Sequence, residues 1–117
     1  MPYPIIKYTD IFYSSVDALS EERSEGILPS VGEKIAIYRF RANGADPSAY
    51  VALIWDRGGS NETILASTKG DIDIVLDPEN SHYQFTGDGV AMLQICIINN
   101  NLSASPIIGG NVEVIGI

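Results

Sequence analysis

Residues 33–56, "EKIAIYRFRANGADPSAYVALIWD", decide how this chain is to be read. From residue 33 the pattern has a period of two, with Ile35 and Ile37 alternating against Ala36, Tyr38 and Phe40. Successive side chains of a strand point to opposite faces, so a run of β-branched and aromatic residues at this period reads as a strand. Asn43-Gly44 and Asp46-Pro47 then interrupt it with turn chemistry. The period resumes in "YVALIWD", residues 50–56, with Val51, Leu53 and Trp55 on one face and Tyr50, Ala52, Ile54 and Asp56 on the other. Val51 and Leu53 beside Trp55 mark that face as the core side, where the one large indole adds most burial.

Working outward, "WDRGGSNE" (55–62) reads as a hairpin turn, Gly58-Gly59 supplying the backbone freedom for the reversal. Its tip, Arg57, Ser60 and Asn61, is the best exposed place in that stretch for a contact. "ETILAST" (62–68) is the returning strand. "DIDIVLD" (71–77) follows, with Ile72, Ile74 and Leu76 opposite Asp71, Asp73, Val75 and Asp77. A short "HYQF" run (82–85) precedes "VAMLQICIIN" (90–99), which is apolar enough for a central strand buried on both faces. "GNVEVIGI" alternates to the last residue. Seven or eight strands spaced near ten residues apart, without the long helices that parallel strands require, specify an all-β protein. The expected architecture is an antiparallel β-sandwich of jelly-roll type.

The first 32 residues differ in composition, so an N-terminal segment (1–32) is expected to stand apart from a sandwich domain (33–117). Residues 1–13 are rich in Tyr, Ile and Phe, and Pro2 and Pro4 lack backbone donors. "SSVDALSEERSEG" suggests a short helix capped by Ser15 or Asp17 and stopped by Gly26. The expectation is an arm that docks on a neighbouring subunit through Tyr3, Ile5, Ile6, Tyr8, Phe12 and Tyr13. Each such side chain contributes about 1.5–3 kcal/mol when buried, less the cost of ordering the arm.

Bulk composition excludes several classes. At 117 residues the chain is one domain, and 15 acidic against 7 basic residues give a net charge of −8. That balance argues against general nucleic-acid or anionic-membrane binding, which rests on Lys and Arg. The N-terminus lacks the pattern of a secretory signal, so a cytosolic origin is expected. The single Cys96, inside "AMLQICIIN", reads as a buried small hydrophobe, and one Cys with one His makes no zinc pattern. His82 has no nucleophile in a recognisable frame, and Asp71, Asp73 and Asp77 share a solvent face rather than a paired acid-base site. "DPENSHYQFTGD" (77–88) begins like a calcium loop but places His82 where the turn glycine belongs and Asp88 where a bidentate Glu should be. No cofactor is expected, and calcium is the one cation that neighbouring β loops could still take. Arg39, Arg41 and Arg57 would grip an acidic partner if strands 33–41 and 50–57 were paired; the preferred reading is that they balance nearby Asp and Glu.

The pattern "V-x-L-I-W-D-x-G-G-x-x-E-T-I-L-x-S-x-x-G" at residues 51–70, preceded by a strand and an Asn-Gly turn, resembles one in small uncharacterised proteins of bacteriophage and prophage gene clusters. The resemblance covers roughly residues 33–77 and assigns no catalytic residue. It implies a non-enzymatic virion accessory protein, such as a head-decoration, head-fibre or tail component, made in the host cytoplasm and resident in the virion. Its partners would be other virion proteins and further copies of itself, a trimer being the candidate number. The alternative is a carbohydrate-binding module in which an exposed Trp55, with Tyr38, Tyr50 and Tyr83, stacks on a glycan.

Overall fold

A computed structural model describes residues 5–44, 49–68 and 70–117. The described residues form nine strands: β1 (Ile6–Ser14), β2 (Ser20–Arg23), β3 (Lys34–Asn43), β4 (Ala49–Trp55), β5 (Thr63–Thr68), β6 (Ile72–Val75), β7 (Gln84–Thr86), β8 (Leu93–Asn99) and β9 (Ile108–Gly116). A single 3-10 turn, Ser81–Tyr83, precedes β7. The strands make two antiparallel sheets, ordered β1-β9-β3-β6 and β2-β8-β4-β5, with β7 continuing the β6 position along β3. The chain crosses between sheets from β1 to β2, β2 to β3, β3 to β4, β5 to β6, β7 to β8, and β8 to β9. That order, two Greek keys folded on each other, is a jelly roll.

The core lies between the sheets. Ile35, Ile37, Phe40, Val112 and Val114 of one sheet meet Val51, Leu53, Leu93, Ile95 and Ile97 of the other, all fully buried. Phe40 departs from the simple alternation, which places it opposite Ile35 and Ile37. A register shift in the β3–β9 pairing between Ile37 and Arg39 makes room for one extra residue, Tyr38, and returns Phe40 to the core face. Trp55 is only 6% exposed and stacks on Phe85 of β7, with centroids 4.5 Å apart, so the indole is a core anchor. Such a stack adds about 0.5–1.5 kcal/mol beyond the area it buries. β4 and β5 do pair as a hairpin around "WDRGGSNE". β8 is central, and Cys96 on its outer face is fully buried.

The N-terminal segment is not an arm with a helix. Residues 6–14 form the edge strand β1, antiparallel to β9 from Ile6↔Ile115 to Ser14↔Ile108. Tyr8 and Phe12 pack on this chain's own core and Ile6 is half-buried; Ile5, Ile11 and Tyr13 are exposed, and Tyr3 lies outside the described residues. The segment expected to be helical contains β2, whose Ser20–Arg23 pair with Asn99–Cys96 of β8. Ser15 and Asp17 therefore cap no helix; they lie in the β1–β2 loop. The physical reason is partnership: two turns of isolated helix are marginal, whereas β8 offers an unpaired edge that β2 satisfies.

Candidate functional site

In this topology the loops 15–19 and 100–107 lie at one end, where β3 and β5 end and β4 and β6 begin, and 24–33, 56–62 and 76–92 lie at the other. At the first end two loops are locked together by buried polar groups. Asn99, 1% exposed, places its amide nitrogen 3.0 Å from the Val16 carbonyl, 3.1 Å from that of Asp17 and 2.9 Å from that of Ser103. Its carbonyl accepts from the Asn101 backbone at 2.9 Å. Ser105, also buried, accepts from the Val16 N–H at 3.0 Å, and its own N–H donates to the Val16 carbonyl at 2.8 Å. The Ser15 hydroxyl donates to the Ser105 carbonyl. Burial of unpaired polar groups is costly, so these satisfied bonds hold the loops in one arrangement.

On this scaffold stand three exposed aliphatic side chains: Leu19 (67%), Leu102 (82%) and Ile107 (74%). Leu19 also has φ of 54°, the left-handed region that bulky residues avoid, and its N–H donates to the Asn101 carbonyl at 3.0 Å. Sequence reading missed all three. Leu19 falls in the stretch expected to be helical, and Leu102 and Ile107 fall between the last two expected strands, where aliphatic residues among Asn and Ser were the available signal.

At the opposite end the "WDRGGSNE" turn is self-locked. Asp56 adopts φ of 57°, its carboxylate accepts from the Asn61 N–H at 3.0 Å, and its carbonyl accepts from the Gly59 N–H at 2.9 Å. Of the residues expected at its tip, Ser60 and Asn61 are exposed, but Arg57 turns back. Its guanidinium grips Glu21 of β2 through two nitrogens and Glu62 at 2.8 Å, while Arg23 holds Glu21 at 2.7 Å. Burial pushes the Glu21 carboxyl up, but the bonds from Arg57 and Arg23 outweigh it and hold it below the carboxylate range. The hydrogen bonds that Arg57 donates to Glu21 raise its guanidinium in turn. These charges stand around Cys96, whose thiol burial pushes up to about 11, so it is an unreactive core group.

Arg57 is thus remote from Arg39 and Arg41, which belong to the other sheet. Arg39 binds Asp73 bidentately at 2.8 and 2.6 Å, and Arg41 reaches Glu113 at 3.4 Å. β3 and β4 face each other across the core rather than pairing, so the three arginines make no common cleft. At the same end as Arg57, Glu33 accepts from Lys7, from the Tyr8 hydroxyl at 2.7 Å and from the Ser30 N–H at 2.9 Å. These bonds, that of Lys7 foremost, hold its carboxyl down at about 2 and tie the start of β1 to the β2–β3 loop.

His82 is exposed in the 3-10 turn, edge-on to Tyr83. Asp77 accepts from the Glu79 N–H at 3.0 Å and Asp88 from the Val90 and Ala91 N–H groups, so these carboxylates serve turns. Among the described residues no group of three His, Cys, Asp or Glu side chains is placed to hold a metal ion. No helix of the described residues is long and apolar enough to cross a membrane. No family model, curated protein or solved structure matches the chain.

Proposed function

We propose that this protein is a non-enzymatic accessory component of a bacteriophage virion, acting by protein–protein contact from its loop ends. The observation that carries the reading is the rigid loop pair that holds Leu19, Leu102 and Ile107 out in solvent. Apolar side chains displayed on a locked scaffold are the makings of a protein contact rather than of a reaction centre. The jelly roll is an architecture that viral capsid and lectin domains share, so the fold is compatible with the reading and does not decide it. The resemblance of residues 51–70 to phage proteins selects the virion over other settings. The glycan alternative loses its main ring, because Trp55 is stacked on Phe85 inside the core.

The contact surface also changes. Residues 6–14 and 20–23 complete the sandwich, so a chain lacking residues 1–26 would test folding rather than docking. The informative experiment is immunoblotting of density-gradient-purified virions from an induced lysate of the encoding strain. The chain should band with the particles. Recovery only at the top of the gradient, with particles present below, would refute the reading.

A further inference from the structure

We infer that β5 is the seam at which a second copy of this chain adds to the sandwich, the two β5 strands pairing antiparallel about a two-fold axis. An edge strand turns a row of backbone N–H and C=O groups away from its sheet, and an added strand is what satisfies them. Among the described residues, four strands longer than three residues lie at sheet edges: β1, β2, β5 and β6. Three of them carry charge that discourages an added strand. β1 has Lys7 and an inward Asp10, β2 has Glu21, Glu22 and Arg23, and β6 has Asp73. β5, "TILAST", has none. In a chain of net charge −8, copies that meet along this uncharged edge set no like charges opposite one another.

The register of β5 selects its own copy as the occupant. A shift in the β4–β5 pairing between Leu53 and Ile54 gives β5 one extra residue, Leu65. Thr63, Ala66 and Thr68 stand opposite Trp55, Leu53 and Val51 on the core side, and Leu65 joins the same core. Ile64 and Ser67 stand opposite Ile54 and Ala52 on the outer side. From Thr63 to Thr68 the positions therefore run in, out, in, in, out, in, which reads the same in either direction. Full antiparallel overlap of two copies matches faces at every pair: Thr63 with Thr68, Ile64 with Ser67, Leu65 with Ala66. Threonine opposite threonine is a favourable cross-strand pair, and it closes both ends of the seam. A regular strand alternates faces and falls out of step with β5 at Leu65-Ala66, so the extra residue turns unrelated strands away. Against its own copy the extra residues fall at the central pairs and the register is kept. Such a contact is isologous and gives a two-fold pair rather than a trimer.

The seam is one six-residue strand, short of the ~800 Å² per partner of a standard interface, so the pair forms weakly and in proportion to concentration. This inference is independent of the virion reading, since a chain with no place on a particle would still pair in this way. Sedimentation velocity from about 10 µM to about 1 mM, the range suited to so small a contact, tests it directly. The wild-type weight-average mass should climb from one chain toward two. Ile64 and Ser67 are exposed in the single chain, so both accept a charge without disturbing the core. Ile64→Lys/Ser67→Lys sets lysine against lysine across the seam and should remain at one chain. Ile64→Lys/Ser67→Glu sets lysine against glutamate at the same pairs and should associate at least as strongly as wild type. Ile11→Lys, on the outer face of the β1 edge, should behave as wild type. A wild type that stays at one chain throughout, or that climbs past two, overturns the proposal. So does association of the double-lysine variant, failure of the lysine–glutamate variant to associate, or loss of association in the β1 variant.

Discussion

Leu19 at φ of 54° stores strain that a short polar residue would not. Left-handed backbone costs an ordinary residue about 1–2 kcal/mol, and asparagine tolerates it better. Leu19→Asn is therefore expected to raise the stability of the dilute monomer by up to about 1 kcal/mol, read as a higher urea midpoint with an unchanged slope. Loss of stability would show that Leu19 serves the monomer after all. Asn99 is the opposite case. Asn99→Ala removes an amide that serves three carbonyls and one N–H, and should cost about 2–3 kcal/mol in the same measurement. Glu33 makes the residue scale sensitive to pH. A carboxyl held at about 2 in the fold against an ordinary 4.5 stabilises the protein above 4.5, and loses that contribution as pH falls from 4.5 toward 2. The stability gap between wild type and Glu33→Gln should be present at neutral pH and shrink across that window; a gap independent of pH would remove Lys7 and Tyr8 as its cause. Trp55 was legible from sequence because Val51 and Leu53 flank it at strand period. Leu19 was not, since positive φ leaves no mark on a Val-Asp-Ala-Leu stretch that also suits a helix.

At the scale of elements, β3, β4, β6 and β9 were legible from period-two patterns between turn residues, β8 from its continuous apolar run, and β5 as the return of the Gly58-Gly59 turn. β1 and β2 were not, and the residues show why. β1 has apolar residues on both faces, Ile6, Tyr8 and Phe12 inward and Ile11 and Tyr13 outward, with Asp10 breaking the inward row. β2, "SEER", is a strand only because β8 supplies its partners. Asp10 has the clearest consequence. Its Oδ2 atom is buried without a partner, on the inward face of a nine-residue free edge. An inward charge on an edge strand discourages a second strand from adding there, at the expense of stability. Asp10→Val should therefore raise the melting temperature and lower solubility together, the second seen as light scattering on concentration. A variant both stable and freely soluble would show that the edge is protected by something else. Deleting residues 1–14 should abolish cooperative unfolding, because it strips Tyr8 and Phe12 from the core and bares the β9 edge. A truncated chain that melts cooperatively would restore the arm.

For the whole molecule, the class of fold was legible and the order of strands was not, because pairing partners lie far apart in sequence. β9, the last strand, sits between β1 and β3, and β8 sits between β2 and β4. Neither sheet can be completed until the C-terminal strands join pieces formed much earlier in the chain. Closing such long loops before any contact repays them makes folding slow, and β-sandwiches with this kind of non-local pairing fold in roughly milliseconds to seconds. Trp55 is a suitable reporter, since its stack on Phe85 brings together β4 and β7, which lie in different sheets. Refolding by dilution from urea should give a Trp55 fluorescence change in that range, coincident with the far-UV circular dichroism signal. A chain ending at residue 107, which lacks β9, should show neither transition, because β1 would have no partner and β3 would lose one of its neighbours. If Trp55 instead reached its native signal in microseconds, or did so in the shortened chain, the β4–β7 stack would form locally. The core would then assemble from one end of the sandwich rather than through closure by the last strand.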